Sequence, residues 1–239
     1  MSFLHPYTIV PVGDSALAIH FGNVIDDAIN KTVLQLFRHI QLSKHPVIID
    51  VVPAFASLTI FYNVAALANS STTAFDAATH IVESILPGIQ TEDDQHEKRV
   101  IRVPVLYDVV HGLDLEYVAT TCNLSVNDVV AIHTATTYRV FMVGFLPGFP
   151  YMGTVDERIS VPRKKHPRTK VTAGSVGIAG KQTGVYPLDS PGGWQIIGRT
   201  PLKLFDNTKE DGVLLKPGDS IQFYSIARDE FDNYQSRHT

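Results

Sequence analysis

The residues best suited to bind an anion lie in one short basic loop. Residues 162–168 read PRKKHPR, so that a proline stands directly before each of two arginines, Arg163 and Arg168. Proline fixes φ, and both arginines are therefore expected on a stiffened backbone. A guanidinium group binds a carboxylate or a phosphate through two parallel hydrogen bonds. The loop predicts an anion site, with solvated surface charges as the alternative.

A second group of polar and aromatic residues follows this loop. Residues 190–194 read SPGGW, which places the single tryptophan, Trp194, directly after Gly192 and Gly193, and Arg199 adds a third cation. We interpret Trp194 as a core anchor, with a pocket wall as the alternative. Four further residues are predicted ligand contacts, namely Ser175, Gln182, Tyr186 and His133. For the first three, the alternative is a hydrogen bond within the barrel. For His133, the alternative is a histidine that is favoured at the C-terminal end of a helix by the helix dipole.

The segment that carries these residues is rich in glycine and in positive charge. Ten of the 16 glycines lie between Gly144 and Gly198, and Gly174, Gly177 and Gly180 recur at every third position. Glycine adopts backbone conformations that are closed to other residues, so the segment predicts a shaped path. Its basic residues exceed its acidic ones, although the whole chain has a net charge of −4. Such a segment favours an anionic ligand or an acidic partner, while a turn-rich barrel is the alternative.

The sequence argues against several common kinds of catalytic and binding site. A P-loop would need glycine at position 175 and Ser or Thr at 182, where the chain has Ser175 and Gln182. A nucleophile elbow fails because Gly174 directly precedes Ser175. There is no H-E-x-x-H motif and no cysteine pair, so we expect no protein-built metal site. A sequence pI near 6.2 disfavours nucleic-acid binding. The chain alone shows no complete catalytic apparatus.

Composition indicates a globular cytoplasmic protein. The chain has 239 residues, of which 44% are hydrophobic and 18% are charged, and this balance argues against disorder. Its single cysteine, Cys122, cannot form an internal disulfide, as expected in a reducing cytosol. No run of 18 apolar residues occurs, so we expect no membrane span.

Periodicity predicts an N-terminal α+β domain over residues 1–90. Apolar residues repeat at helical spacing over 25–40 and 71–86, with Asn23 or Asp26 as the cap of the first helix. The predicted order is ββαββα, with two helices against one face of an antiparallel sheet. The predicted strands are residues 7–12, 16–21, 47–52 and 58–62.

A mainly β domain is predicted over residues 99–229, after an acidic linker at 91–98. Two short helices are expected at 113–122 and 125–134, the second with Ser125 and Asp128 in a capping box. Short strands between Gly and Pro indicate a β-barrel or a sandwich, and residues 230–239 read as a polar tail. The predicted strands are residues 99–106, 138–143, 174–179, 195–197, 201–205 and 220–223.

The chain resembles one known protein family along nearly its whole length. That family comprises the B-type subunit of bacterial 5-oxoprolinase, the Kip-type inhibitors of sporulation histidine kinases and allophanate hydrolase subunit 1. The specific part of the resemblance is the segment from Gly144 to Asp206. The matching sequences are VGDSA at 12–16, VPAFASL at 52–58, GFLPGFPYMG at 144–153, PR at 162–163 and 167–168, AGSVGIAG at 173–180, SPGGW at 190–194 and KPGD at 216–219.

The resemblance implies an N-terminal α+β domain followed by a cyclophilin-like β-barrel. It also implies an ATP-using activity, in which the B-type subunit acts with a homologous C-type subunit and a separate A-type subunit to open 5-oxoproline to glutamate. Developing negative charge in that reaction calls for arginines and backbone N–H donors. Under this resemblance, Arg163, Arg168 and Arg199 would hold the charge, residues 174–180 would supply amides, and the C-type subunit would complete the site. The expected walls are Phe149, Tyr151 and Tyr186.

The same resemblance allows a second function from a different class. A Kip-type inhibitor binds the dimerisation domain of a histidine kinase and blocks autophosphorylation. For that role, exposed apolar side chains would matter more than arginines. The expected contacts are Phe145, Leu146 and Phe149. Hydrolysis of allophanate is disfavoured, because the chain lacks a serine-lysine amidase signature.

Overall fold

The structure is a computed structural model that describes residues 5–67, 72–88, 100–209 and 212–237. The chain divides into two units, residues 1–97 and 98–239. The predicted acidic linker at 91–98 lies outside the described residues. No helix in the described ranges is long and apolar enough to cross a membrane.

The first unit is a four-stranded antiparallel sheet with helices packed on one face. The sheet order is β1-β2-β4-β3, and alternating residues such as Leu17, Ile19, Leu58 and Ile60 are buried in the core. Its strands are β1 (Thr8–Val12), β2 (Ala16–His20), β3 (Ile48–Pro53) and β4 (Ser57–Tyr62). Its helices are α1 (Asp27–Ser43), α2 (Val64–Leu67) and α3 (Ala74–Ile85), followed by a 3-10 turn at Leu86–Gly88.

The helices of the first unit begin where short polar side chains cap them. The Asp26 carboxylate accepts hydrogen bonds from the backbone of Ala28 and Ile29, at 2.8 and 2.9 Å, so Asp26 is the cap of α1. Thr73 caps α3 in the same way, through the amide of Asp76. The structure differs from the predicted ββαββα order by one added element, the short helix α2.

The second unit, as far as the structure describes it, contains nine strands and three helices. The strands are β5 (Val100–Val105), β6 (Thr137–Val143), β7 (Pro150–Gly153), β8 (Arg168–Val171), β9 (Ser175–Ala179), β10 (Gln182–Val185), β11 (Ser190–Gly192), β12 (Gln195–Arg199) and β13 (Ser220–Ser225). The helices are α4 (Leu115–Thr121), α5 (Val126–Ala135) and α6 (Arg228–Arg237), with a 3-10 turn at Glu157–Ile159. Strands β8 and β11 pair with each other, and the other seven form one sheet.

The seven-stranded sheet closes on itself. Its order is β12-β9-β10-β7-β6-β13-β5, so β12 and β5 are the two edges. Leu106, directly after β5, and Arg199, at the end of β12, exchange two backbone hydrogen bonds of 2.8 and 3.0 Å. This bridge joins the edges into a nearly closed barrel, with side chains such as Val105 and Ile178 buried in its core. The unit is therefore a barrel and not a sandwich.

Three predictions for the second unit can be compared directly with the structure. The capping box of α5 is confirmed, since Ser125 Oγ accepts from the Asp128 amide and Asp128 accepts from the Ser125 amide, both at 3.1 Å. The strand predicted at 201–205 is wrong, because only a single bridge from Phe205 to Val213 forms there. The expected polar tail at 230–239 instead contributes to helix α6, whose Phe231 is buried.

Candidate functional site

The glycine-rich segment 174–180 forms a barrel strand and is not an anion cradle. Gly174 donates its N–H to the carbonyl of Tyr186 at 2.7 Å, and Gly180 donates to Val161 at 2.7 Å. Gly177 lies in β9, which pairs with β10 on one side and β12 on the other. The expectation that these amides would bind an anion is therefore wrong, because the barrel already uses those of Gly174 and Gly180.

Two glycines are required by close approach of the backbone to its neighbours. Gly174 has a φ of +83°, and a Cβ there would overlap the carbonyl oxygen of Thr200. A Cβ at Gly192 would overlap the hydroxyl of Tyr186. The neighbouring Gly193 accepts a hydrogen bond from the Lys164 amide at 2.8 Å, which ties the basic loop to the start of β12. These glycines shape the backbone around the candidate site.

An aromatic cluster lies beneath the basic loop. The ring of Phe149 meets those of Tyr186 and Trp194 edge-on, with centroids 5.1 and 5.4 Å apart, and the ring of Tyr151 lies 4.8 Å away. Phe149, Tyr186 and Trp194 are buried, whereas Tyr151 is half-buried. Trp194 is thus a core anchor. Phe149 and Tyr186 were expected to wall an open site, but they pack below the surface.

The loop after β6 adds two further apolar residues to this cluster. Phe145 meets Phe149 edge-on at 5.7 Å, and its own side chain is 63% exposed. Its φ of 67° is in the left-handed region, which is uncommon for a bulky residue. Leu146 packs against the cluster and is only partly buried. Of the five residues predicted as walls or partner contacts, Phe145, Leu146 and Tyr151 reach the surface.

Of the three predicted arginines, Arg163 is the one that the structure presents to solvent. Its guanidinium carbon lies 5.7 Å from the centre of the Trp194 ring, as in a cation–π contact. It forms no ion pair with any residue in the described part of the chain. Burial raises the pKa of the Tyr151 phenol, and the positive charge of Arg163 opposes that rise. Arg163 and Tyr151 therefore each contact the Trp194 ring, and the positive charge of Arg163 acts on the Tyr151 phenol.

Arg168 is held by Asp114, which is not among the residues predicted from the sequence. Its two terminal nitrogens donate to both oxygens of Asp114, at 2.8 and 2.7 Å. Lys164 Nζ donates to Asp114 at 3.1 Å, and the Ile196 amide donates to it at 2.7 Å. Arg168 therefore makes the predicted pair of parallel hydrogen bonds to an anion, but the anion is the protein's own Asp114 carboxylate. Arg168 consequently positions the loop and does not present a free charge.

The environment of Asp114 keeps its carboxylate charged. Burial alone would raise the pKa of this carboxyl, yet hydrogen bonds from Arg168, the Ile196 amide and Lys164 outweigh burial and lower the pKa below its usual value. Asp114 directly precedes α4, where an acid usually caps the helix, but its side chain makes no capping bond. No local signal in the sequence identifies partners that lie 50 and 54 residues away.

Arg199 lies apart from the other two arginines. Its Nε donates to the carbonyl of Ala173 at 2.9 Å, and its guanidinium carbon lies 5.9 Å from the ring centre of Phe231 in helix α6. None of its contacts within the described ranges involves Arg163 or Asp114. The structure thus brings Arg163 and Arg168 to one loop and separates Arg199 from them.

His133 is enclosed in the barrel and is not a ligand contact. Thr183 Oγ1 donates to the Gly177 carbonyl at 3.0 Å, so it accepts from His133 Nε2 at 3.1 Å. His133 Nδ1 then accepts from the Tyr107 hydroxyl at 2.8 Å. Burial lowers the pKa of His133 to about 3, which keeps the ring neutral. The predicted anion contact is therefore wrong for this residue.

The two remaining predicted contacts lie in neighbouring strands. Ser175 is buried at the start of β9, and Gln182 is half-buried at the start of β10, opposite Ala179 and Gly153. Their roles as ligand contacts stay predictions. In the described ranges, no group of three or more His, Cys, Asp or Glu side chains could hold a metal ion.

The chain matches one protein family over most of its length. Residues 7–215 match the family described as "Carboxyltransferase domain, subdomain C and D". The chain is 42% identical to the B-type subunit of 5-oxoprolinase from Bacillus subtilis (strain 168), over 96% of this chain and 97% of that relative.

Solved structures show the same similarity. The uncharacterized protein PH0987 from Pyrococcus horikoshii is 42% identical, with a TM-score of 0.55, over 94% of this chain and 100% of that one. The protein TTHA0988 is 34% identical, with a TM-score of 0.76, over 89% of this chain but only 40% of that longer chain. This chain therefore belongs to the carboxyltransferase subdomain C and D family, together with the B-type 5-oxoprolinase subunit of Bacillus subtilis.

Proposed function

We propose that this chain is the B-type subunit of an ATP-dependent 5-oxoprolinase, which opens 5-oxo-L-proline to L-glutamate together with the A-type and C-type subunits. The observation that carries the proposal is the 42% identity to a B-type 5-oxoprolinase subunit across 97% of that protein. A match of this extent includes both units of the chain. The activity belongs to the assembled complex, since this chain alone shows no complete catalytic set.

The fold supports this assignment. A closed sheet whose edges meet at Leu106 and Arg199 fits the cyclophilin-like barrel that the family resemblance implies. The closed barrel fixes the ends of β12, so the residues that flank Trp194 are held in place. We assign residues 1–90 to the N-terminal domain, and we extend the barrel domain, predicted over residues 99–229, to the end of helix α6 at Arg237.

The surface formed by Arg163 and Tyr151, which both contact the buried Trp194 ring, is the proposed site for the substrate. 5-Oxoproline is a small lactam with a carboxylate, and a phosphorylated lactam would carry further negative charge. Arg163 offers an exposed guanidinium supported by the Trp194 ring, and the half-buried Tyr151, which packs against the same ring, offers a phenolic donor. The loop is held in place by the ion pairs of Arg168 and Lys164 with Asp114. Preorganised donors of this kind stabilise developing negative charge.

ATP is proposed as a co-substrate of the complex and not as a ligand of the glycine-rich segment. Gly174 and Gly180 already donate their amides to Tyr186 and Val161, so this segment does not fit a phosphate group. Gln182 also stands where a P-loop would need a hydroxyl for magnesium. We therefore expect the nucleotide to bind through the companion subunits.

Reconstitution tests this proposal. The purified chain and the A-type and C-type subunits are assayed for ATP hydrolysis that depends on 5-oxo-L-proline, with each component omitted in turn. We expect hydrolysis only when all three are present. If this chain instead inhibits the autophosphorylation of a sensor histidine kinase, and oxoproline never stimulates ATP hydrolysis, the Kip-type function replaces the proposed one.

A further inference from the structure

The turn before helix α4 and the start of that helix expose four large apolar side chains. Val109, Val110, Leu113 and Tyr117 are 59%, 62%, 56% and 48% exposed. Single exposed apolar residues are common on protein surfaces and need no explanation. Four of them lie within nine consecutive residues, 109–117, and exposed apolar groups of this size mark interaction surfaces. We call these four residues the apolar turn.

The backbone of the apolar turn is fixed from several sides. Gly112 donates its N–H to the Asp108 carbonyl at 2.6 Å, and a Cβ at Gly112 would overlap the Ile197 carbonyl. The Asp108 carboxylate accepts from the His111 amide at 2.7 Å and from Arg228 of helix α6 at 2.5 Å. A fixed turn loses little conformational freedom when it binds. The exposed side chains are thus preorganised for a partner.

A basic rim borders the apolar turn. Asp114, directly after Leu113, accepts a hydrogen bond from Lys164 at 3.1 Å, and this contact brings the loop 162–168 to the edge of the turn. Lys165 and Arg163 are exposed on that loop. Neither forms an ion pair with a residue in the described ranges. An apolar centre with an unpaired cationic rim fits a partner surface that is apolar in the middle and acidic at its edge.

We infer that the apolar turn docks the C-type subunit, through an apolar patch with an acidic border. This inference rests on the proposed function, which supplies the C-type subunit as the companion. In the longer relative TTHA0988, of which this chain covers only 40% at 34% identity, this fold is joined to further polypeptide. The turn lies beside the loop that carries Arg163, so the docked companion would also border the substrate surface.

The test measures binding of the full chain to the purified C-type subunit by titration calorimetry. Val110→Glu and Leu113→Glu together are expected to raise Kd by about 10- to 100-fold or more, since buried apolar anchors dominate such interfaces. Leu42→Glu is the matched control, because Leu42 is 77% exposed in the first unit, and it should bind like the parent. Thermal unfolding of all variants should remain like that of the parent, because the altered side chains are exposed.

A charge series tests the acidic border. Lys165→Glu is expected to weaken binding, and the control Lys44→Glu, in the first unit, should not. Leu113→Lys should lose less affinity than Leu113→Glu, and the difference should shrink at high salt. Parental binding by the Val110→Glu, Leu113→Glu variant overturns the inference, as does a wild-type chain that does not bind the C-type subunit.

The same samples separate this inference from the proposed function. Oxoproline-dependent ATP hydrolysis is measured in each mixture after the A-type subunit is added. An active wild-type complex with unchanged binding by the variant contradicts the docking surface alone. If the variant loses binding but the wild-type mixture shows no oxoproline-dependent ATP hydrolysis, the proposed function is contradicted. The docking surface is then still supported by the binding result.

Discussion

Asp114 determines how the residues of the basic loop are arranged. Its carboxylate receives two hydrogen bonds from Arg168, one from Lys164 and one from the Ile196 amide. It therefore connects the loop to α4 and to strand β12. Removal of one partner from a buried ion pair costs more than the loss of a surface pair, because the remaining charge stays buried.

The first prediction concerns the pH dependence that Asp114 brings to stability. Its pKa is lower in the folded chain than its ordinary value of about 3.9, so its stabilising contribution is present above that value and is lost as pH falls below it. We expect Asp114→Asn to lower the free energy of unfolding at pH 7, and the difference from wild type to shrink as pH falls below about 4. Denaturant titrations at several pH values measure this.

A matched control makes this pH test specific. Glu116→Gln alters an exposed acid in the first turn of α4, two residues after Asp114, and should follow the wild-type curve. A constant difference between wild type and Asp114→Asn across the whole range would show that the charge of Asp114 contributes nothing to stability.

The two arginines of the loop are predicted to behave differently. Arg168→Ala leaves the buried Asp114 carboxylate with fewer donors, so we expect a loss of roughly 2–4 kcal/mol in the free energy of unfolding. Arg163→Ala removes an exposed charge and should leave that free energy nearly unchanged. It should instead lower the oxoprolinase activity of the complex by about 10- to 100-fold, as expected for one lost charge-assisted contact of roughly 1.5–3 kcal/mol.

Arg163→Lys refines this comparison, since lysine keeps the charge but not the planar fork. Partial activity in this variant supports direct contact with an anion. Wild-type activity in Arg163→Ala would remove Arg163 from the site, and wild-type stability in Arg168→Ala would remove Arg168 from its positioning role.

His133 carries the third prediction at this scale. Its pKa of about 3 in the folded chain lies below its ordinary value of about 6.5, so the unfolded chain binds the extra proton between these values. Stability is therefore complete above about pH 6.5 and falls as pH decreases, by about 1.4 kcal/mol per pH unit for this group. His133→Gln should be less stable at pH 7 but should lack this part of the slope between about pH 6 and pH 4. Equal slopes would argue against a buried neutral histidine.

For single residues, the sequence identified important side chains better than it predicted the groups that surround them in the fold. Arg163, Arg168 and Trp194 were found from their neighbours along the chain. Asp114 and the burial of His133 were not, because they depend on contacts between residues far apart in the sequence, such as His133 with Thr183 and Asp114 with Lys164, each 50 positions apart. The partners of a charged side chain depend on how the barrel closes, and a local pattern carries no such information.

At the scale of elements, apolar periodicity and caps predicted α1, α3, α4 and α5. Each of these signals depends on interactions within a few residues, which the sequence contains in full. The strand expected at 201–205 and the helix α6 show the limit of that reasoning. Helix α6 reads as polar, yet Phe231 packs in one cluster with Ile226, just before the helix, and with Leu106, which is far away in the sequence.

The aromatic cluster provides a prediction for Trp194, directly before strand β12. Trp194 is buried against Phe149 and Tyr151, so Trp194→Ala leaves a cavity and should destabilise the chain by about 3–5 kcal/mol. Phe145→Ala, at an exposed position of the same cluster, should change stability by less than about 1 kcal/mol. Thermal or denaturant unfolding measures both. Equal effects of the two substitutions would mean that Trp194 does not anchor the barrel.

At the scale of the whole molecule, the chain has two units and belongs to a family in which it matches a B-type 5-oxoprolinase subunit over nearly the full length of both chains. The sequence predicted the family because specific motifs recur from residue 12 to residue 219. It did not predict which loops meet, since that arrangement follows from the closure between Leu106 and Arg199. The exposed apolar turn and the free charge of Arg163 both fit a protein that works within a complex.

The most direct measurement is the conversion of 5-oxo-L-proline to L-glutamate by the purified A-type and C-type subunits in the presence of ATP, with this chain present or omitted. Our account predicts that glutamate forms only when this chain is present, and that it forms together with ATP hydrolysis. Equal glutamate formation without this chain, or none with all three components, would contradict it.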